Sequence, residues 1–257
     1  TYRELNEPPL FRSDRLVLAV DHTVDSVTMK DPQHPAQKLN QLSVDFAKKQ
    51  NLKYFFHANE TILHTAPYEN LFRPGDIILG ADSHTTSHGG LGAFAIGLGA
   101  SDIMLATVVG ESWIVVPEAI QIQYRGSLPF GLTGKDVILR TMGLLKRNSI
   151  ALNRCVEYTG DLHNFSADFR FTIANMTAEF GGLNGIFEPD EKIASYLSLR
   201  KDNYSEFSAS DNYFRADENA YYYAKEIIKL DSLKPQIALP FSPDNVCDID
   251  SQAVDNA

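Results

Sequence analysis

The chain has 257 residues, 44% hydrophobic and 22% charged, enough to bury a sizeable core and too apolar for disorder over most of its length. A net charge of -10 argues against nucleic acid as a partner, because phosphate contacts need clustered Lys and Arg. No apolar run reaches the roughly 18 residues that a membrane span requires, and no basic amphipathic stretch marks a membrane surface.

The opening stretch TYRELNEPPLFRSDR carries no initiator Met, no signal-peptide h-region and no Arg-rich transit pattern, so a processed chain in the cytoplasm or an organelle matrix is expected. Residues 15–23, RLVLAVDHT, predict a buried strand ending at Asp21 and His22. Leu39, Leu42, Val44, Phe46 and Ala47 predict a helix of about three turns ending near Asn51. KYFFHAN predicts a short strand, and ETILHTAPYENLFRPGD a helix or loop broken by Pro67 and Pro74. DIILGADSH predicts a second buried strand, which runs into GADSHTTSHGG (80–90), expected as a turn not yet helical.

The glycine-rich run GGLGAFAIGLGASDIMLATVVGE predicts one tightly packed helix, or two split near Gly99 and Ala100, with Ser101 as N-cap. SWIVVPEAIQIQYRG alternates and predicts a strand after a turn at Pro117. Thr133 and Asp136 resemble a capping box for GKDVILRTMGLLKR. NRCVEYTGD predicts a strand, and FSADFRFTIANMTAEFGG a helix stopped by Gly-Gly. EPDEKIASYLSLR predicts a Pro-started helix, and DENAYYYAKEIIKLD another, acidic first and basic last. KPQIALPFSP predicts an extended segment, and the polar tail after it a loose one. Strands and helices alternate, which predicts α/β layers, with 199–215 as the one soft boundary.

Three places set a His at or beside a carboxylate near the end of an apolar element: Asp21-His22, His64 eighteen residues before Asp82, and Asp82-Ser83-His84. A carboxylate beside an imidazole fixes its tautomer and raises its basicity, as acid/base work needs, and strand ends are where α/β enzymes place their chemistry. The alternative for each pair is a cap or turn. His84 and His88 are four apart, which on a helix could present both to one zinc, but a Thr/Ser/Gly-rich run after a strand argues against it, and no metal ligand is assigned. Gly90, Gly92, Gly97 and Gly99 do not have the spacing of a dinucleotide loop, and DSH is not a nucleophile elbow. Asn175 and Glu179 are four apart among Ile173, Ala174, Ala178 and Phe180, so they read either as a paired site or as a solvated helix face. Cys155 and Cys247 are the only cysteines, and at this separation they read as isolated thiols.

The motifs VDHT, RPGDIILGADSHTTSHGGLGAFAIGLGASDI, TGKDVILRTMG, VEYTGD, ANMTAEFGG and KPQIALPFSPDNV stand in the order found in the aconitase superfamily. The chain resembles most closely the large subunit of 3-isopropylmalate dehydratase and homoaconitase, from about residue 15 to 246. The resemblance implies a three-layer α/β/α fold with two similar sub-layers, in sub-domains 1–135 and 136–257. It implies dehydration–hydration of a small hydroxy di- or tricarboxylate, with a [4Fe-4S] cluster acting as Lewis acid. Carried over by position, Asp21 and His22 match the family's first His–carboxylate pair, with that His protonating the leaving hydroxyl. His64 and Asp82 match the second pair, and His84 and Glu179 the third. Ser83 and Asn175 match active-site polar positions that contact substrate.

The family holds its cluster through three cysteines, one in an SCTNS-like motif and two in a CxxC, and neither motif is here. Cys155 and Cys247 match none of those positions, so the cluster is expected on a cysteine-bearing partner subunit, with a swivel-domain subunit supplying the serine base. Two other readings stay open. One is a cluster-free relative using acid/base or other-metal chemistry alone, and the other is a non-catalytic binding module or fragment.

Overall fold

The computed structural model describes residues 2–20, 25, 30–146, 149–200 and 215–251. Asp21 and His22, and most of the soft boundary at 199–215, lie outside the described residues. The chain sorts into two compact units, residues 1–71 with 98–114 and residues 72–97 with 115–257.

In the first unit, β1 (Val17–Ala19) and β2 (Tyr54–Phe56) pair in parallel. Between them runs α1 (Pro35–Gln50), which ends at Asn51 in the left-handed conformation, as the periodicity predicts. Neither strand is fully buried, so the expected buried strand is half-exposed over its described residues. α2 (Thr65–Asn70) contains Pro67 rather than being broken by it. Pro67 is the third helical residue, where the backbone N–H has no partner within the helix and its loss costs nothing. α3 (Ala100–Val109) starts after Gly99, so Ser101 sits inside the first turn and is not the cap.

In the second unit, β3 (Ile77–Gly80) pairs in parallel with β4 (Phe94–Gly97), and a 3₁₀ helix (Ser83–Leu91) joins them. This corrects two expectations: the DSHTTSHGG run is helical, and the glycine-rich run after it opens with a strand. Gly92 explains the switch, because its φ of +87° ends the helix in a conformation that side chains resist. Ala93 and Ala95 then point inward with period two and are fully buried beside Ile78 and Phe72. Gly97 gives the loop room: a Cβ there would lie 2.7 Å from the Asp82 carbonyl oxygen.

The main sheet has the order β7-β6-β5-β8, all parallel, with β5 (Ala119–Arg125), β6 (Cys155–Gly160), β7 (Asn184–Phe187) and β8 (Ala224–Lys229). Ile120, Ile122 and Tyr124 of β5 alternate into the core with Val156 and Tyr158 of β6. α4 (Gly134–Leu145) covers them with Val137, Ile138 and Met142, and α5 (Ala167–Asn175) with Ile173 and Ala174. Each such aliphatic side chain contributes about 1.5–3 kcal/mol of burial. The capping box of α4 forms as expected: Thr133 accepts from the Lys135 N–H, and Asp136 accepts from the Thr133 N–H.

β8 corrects the helix expected from DENAYYYAKEIIKLD. Its pairing with β5 selects period two, so Ile228 is buried and Ile227 exposed. Long-range pairing overrides the local charge gradient that suggested a helix. α6 (Glu191–Ser198) is capped by Asp190, with Pro189 one residue outside rather than in the first turn. The tail is not loose over its described part: β9 (Gln236–Ala238) and β10 (Val246–Asp248) form an antiparallel pair. These parallel strands with their covering helices make the fold α/β, as expected. No helix among the described residues is long and apolar enough to cross a membrane.

Candidate active site

The site grows from the end of β3. Asp82 is extended and caps the 3₁₀ helix: its Oδ1 accepts from the His84 N–H at 2.7 Å. The Thr85 hydroxyl donates to the Asp82 carbonyl at 2.7 Å, which closes the entry turn. Nine residues is long for a 3₁₀ helix, since its hydrogen bonds are poorer than those of an α-helix. Burial of 85–91 compensates here, and only Ser83 and His84 at its start are open to solvent.

Three residues per turn separate the two histidines. His88 is 2% exposed and packs edge-on to Phe72, with ring centroids 4.5 Å apart. The His84 ring lies at the open end, so the pair does not converge on one ion. Among the described residues, no group of three or more His, Cys, Asp or Glu is arranged to hold a metal.

α5 ends at Asn175 and passes into a second 3₁₀ helix (Met176–Phe180), which carries Glu179. Asn175 and Glu179 therefore belong to different helix types, yet both reach the DSH helix. The Glu179 Oε1 lies 3.1 Å from the His84 Nε2. On the other side of the ring, the Asp82 Oδ1 and the Ser83 hydroxyl each lie 3.5 Å from Nδ1. An ionised carboxylate only accepts, so Glu179 accepts from Nε2 when that nitrogen carries a proton, while Asp82, also a carboxylate, and the Ser83 hydroxyl lie on the Nδ1 side. The His84, Glu179 and Asp82 side chains remain 35%, 35% and 48% exposed, so a ligand can reach the imidazole.

The structure thus brings together Asp82, Ser83, His84, Asn175 and Glu179. His64 stands in the first unit, at the N-terminus of α2. Sequence reasoning missed Ser87, which is fully buried, accepts from Asn175 Nδ2 at 2.8 Å and donates to the His84 carbonyl at 2.5 Å. Its three-residue spacing from His84 is the signal that a 3₁₀ reading would have supplied.

The sequence pattern of the aconitase family (aconitate hydratase) matches residues 11–257. This chain belongs to the aconitase family. It is 42% identical over 93% of its length to a 3-isopropylmalate dehydratase large subunit of Glarea lozoyensis, of which it covers 27%. It is 37% identical over 97% of its length to the 3-isopropylmalate dehydratase large subunit of Caldanaerobacter subterraneus, covering 57% of that protein. A solved structure, aconitase X of Thermococcus kodakaraensis, is similar at a TM-score of 0.48 and 13% identity, over 89% of this chain and 51% of that one. The aconitase-family chain therefore spans 27–57% of the length of these two curated relatives.

The family implies a [4Fe-4S] cluster, which is held by deprotonated cysteines. The thiols of this aconitase-family chain do not fit that duty. Cys155 sits on β6 and Cys247 on β10, neither in a disulfide, and burial pushes the Cys155 thiol up to about 11. Two thiols, one of them kept protonated, do not supply a cluster's ligand set.

The raised Cys155 value carries a prediction. Burial also raises Tyr124, Tyr158 and Tyr222, with Glu157 adding to the shift at Tyr222. The unfolded thiol, at 9.0, and the unfolded phenols, at 10.0, lose their protons first, so stability is intact below about pH 9 and falls as pH rises through 9–11. Melting temperature between pH 8 and 11 should drop accordingly, and Cys155 should resist alkylation at pH 8 until denaturant is added. A flat melting profile together with rapid native alkylation would contradict both points.

Proposed function

We propose that this chain provides the His–carboxylate wall of an aconitase-family hydro-lyase, acting by dehydration–hydration on a hydroxy di- or tricarboxylate. The observation that carries this reading is His84, held between Glu179 at 3.1 Å and Asp82 at 3.5 Å on a solvent-accessible ring. Dehydration needs one group to give a proton to the leaving hydroxyl and another to take a proton from the adjacent carbon. A solvent-accessible imidazole with a carboxylate beside each ring nitrogen suits either role. The names of the curated relatives, 3-isopropylmalate dehydratase large subunits, support the reaction class.

By position in the family motifs, Asp21 with His22 and His64 with Asp82 complete the set, while Ser83 and Asn175 meet the substrate. The division into 1–135, with Asp21, His22, His64, Asp82 and His84, and 136–257, with Asn175 and Glu179, belongs to the same proposal. In this reading the cluster sits on a cysteine-bearing partner subunit and a swivel-domain subunit completes the enzyme; Cys155 and Cys247 themselves do not suit the cluster.

The test is purification from the native source, with native mass, iron content and turnover measured on the wild type and on His84→Ala and Asp82→Asn. Turnover in an iron-bearing assembly should fall about 10²–10⁴-fold in the His84 variant, the range for a lost general acid or base. It should also fall for Asp82→Asn, and melting should change little in either. Variants that turn over normally, or an active iron-free form of this chain alone, would overturn the reading.

A further inference from the structure

We infer that Ser87 is a positioning residue that sets the geometry of the His84 imidazole. Four residues close a ring of contacts. The Ser87 hydroxyl donates to the His84 carbonyl at 2.5 Å and accepts from Asn175 Nδ2 at 2.8 Å. Asn175 leads directly into the 3₁₀ helix that carries Glu179, and Glu179 returns to the His84 ring at 3.1 Å. The main chain of His84 is thus tied to one end of the 175–179 segment, and its ring to the other. Thr86 adds a parallel tie by donating to the Asn175 carbonyl at 3.2 Å.

Removing one tie changes the other. Without the Ser87 hydroxyl, the Asn175 amide loses its acceptor and the 84–87 turn loses its side-chain clasp. The distance from His84 Nε2 to Glu179 then depends on the ring contact and the Thr86 tie. Ser87 is fully buried and does not face the ligand side, so it acts through His84. Asn175 has two N–H donors and a carbonyl, of which Ser87 takes one donor, leaving the rest for a substrate.

This inference rests on reading His84 as the working imidazole, but its readout needs no turnover. The whole chain carries 7 His, so the His84 ring signals can be assigned in a ¹⁵N-histidine-labelled sample by comparison with His84→Gln. Wild type should show Nε2 carrying a proton held by Glu179. Ser87→Ala and Asn175→Ala remove the same bond from its two sides. Each should weaken the Nε2–Glu179 contact and change the His84 ring signals, and the double variant should match Ser87→Ala, which also removes the clasp on the His84 carbonyl. Ser87→Thr keeps the hydroxyl and should retain the wild-type signals. Folded Ser87→Ala with unchanged His84 signals would overturn the inference, as would Ser87→Thr that shifts them as far as alanine does. If the ring signals respond while the wild-type assembly shows no hydro-lyase turnover, the positioning role stands and the proposed reaction fails.

Discussion

Replacing Arg170 by alanine should destabilise the protein by about 3 kcal/mol, the low end for breaking a buried charged pair from one side, because Asp190 stays 33% exposed. Arg170 lies on α5 with no solvent exposure. Its guanidinium donates to the Phe165 and Glu188 carbonyls and to the Asp190 carboxylate, the last at 2.5 Å. It also lies 5.7 Å from the centre of the Phe187 ring, close enough to favour the cation. Asp190 uses its other oxygen to cap α6, so one side chain on α5 holds the end of β7 and the start of α6 together. The alanine variant leaves two carbonyls and one Asp190 oxygen without their guanidinium donor, beside a void. Lysine should recover little, because one ammonium cannot span three acceptors set in a planar fork. Urea unfolding would measure this, and a loss below about 1 kcal/mol in the alanine variant would show that the pair is marginal.

The second large effect is expected from Gly89→Ala. A Cβ at Gly89 would lie 1.9 Å from the Gly185 carbonyl oxygen of β7. That neighbour is backbone within a sheet, so the DSH helix must lift instead. Overpacking of this kind typically costs about 1–3 kcal/mol. Here the displaced element also carries His84, so the contact with Glu179 should be lost and any turnover with it. Gly131→Ala is the control, with a φ of +87° but nothing within 4 Å, and it should cost about 1–2 kcal/mol of backbone strain and leave His84 unaffected. If Gly89→Ala retains both melting temperature and the His84 ring signals, the close approach seen here is not what seats the helix.

The two effects differ in how far the sequence alone foretells them. Arg170 stands in a run of aromatic and apolar residues, FSADFRFTIAN, and its helix is readable, but its charge gives no sign of full burial. The partner carboxylate is twenty residues away, on another element. Gly89 is one of several glycines in GGLGAFAIGLG, and only the position of β7 tells which of them must stay bare.

Local chemistry determined a good deal. The capping box at Thr133 and Asp136, the period-two burial of β5 and the left-handed end of α1 at Asn51 all involve residues a few positions apart, so their patterns lie open in the sequence. The motifs DSH and ANMTAEFGG, with the family resemblance, likewise point to Asp82, Ser83, His84, Asn175 and Glu179. Tertiary structure decided what depends on distant partners. β8 is a strand because β5 offers it a ladder, and β4 is a strand because β3 does. The closure of His84, Ser87, Asn175 and Glu179 into one ring required α5 to pack on the DSH helix. Its contacts join residues 84–87 to residues 175–179, a separation at which neither periodicity nor propensity carries information.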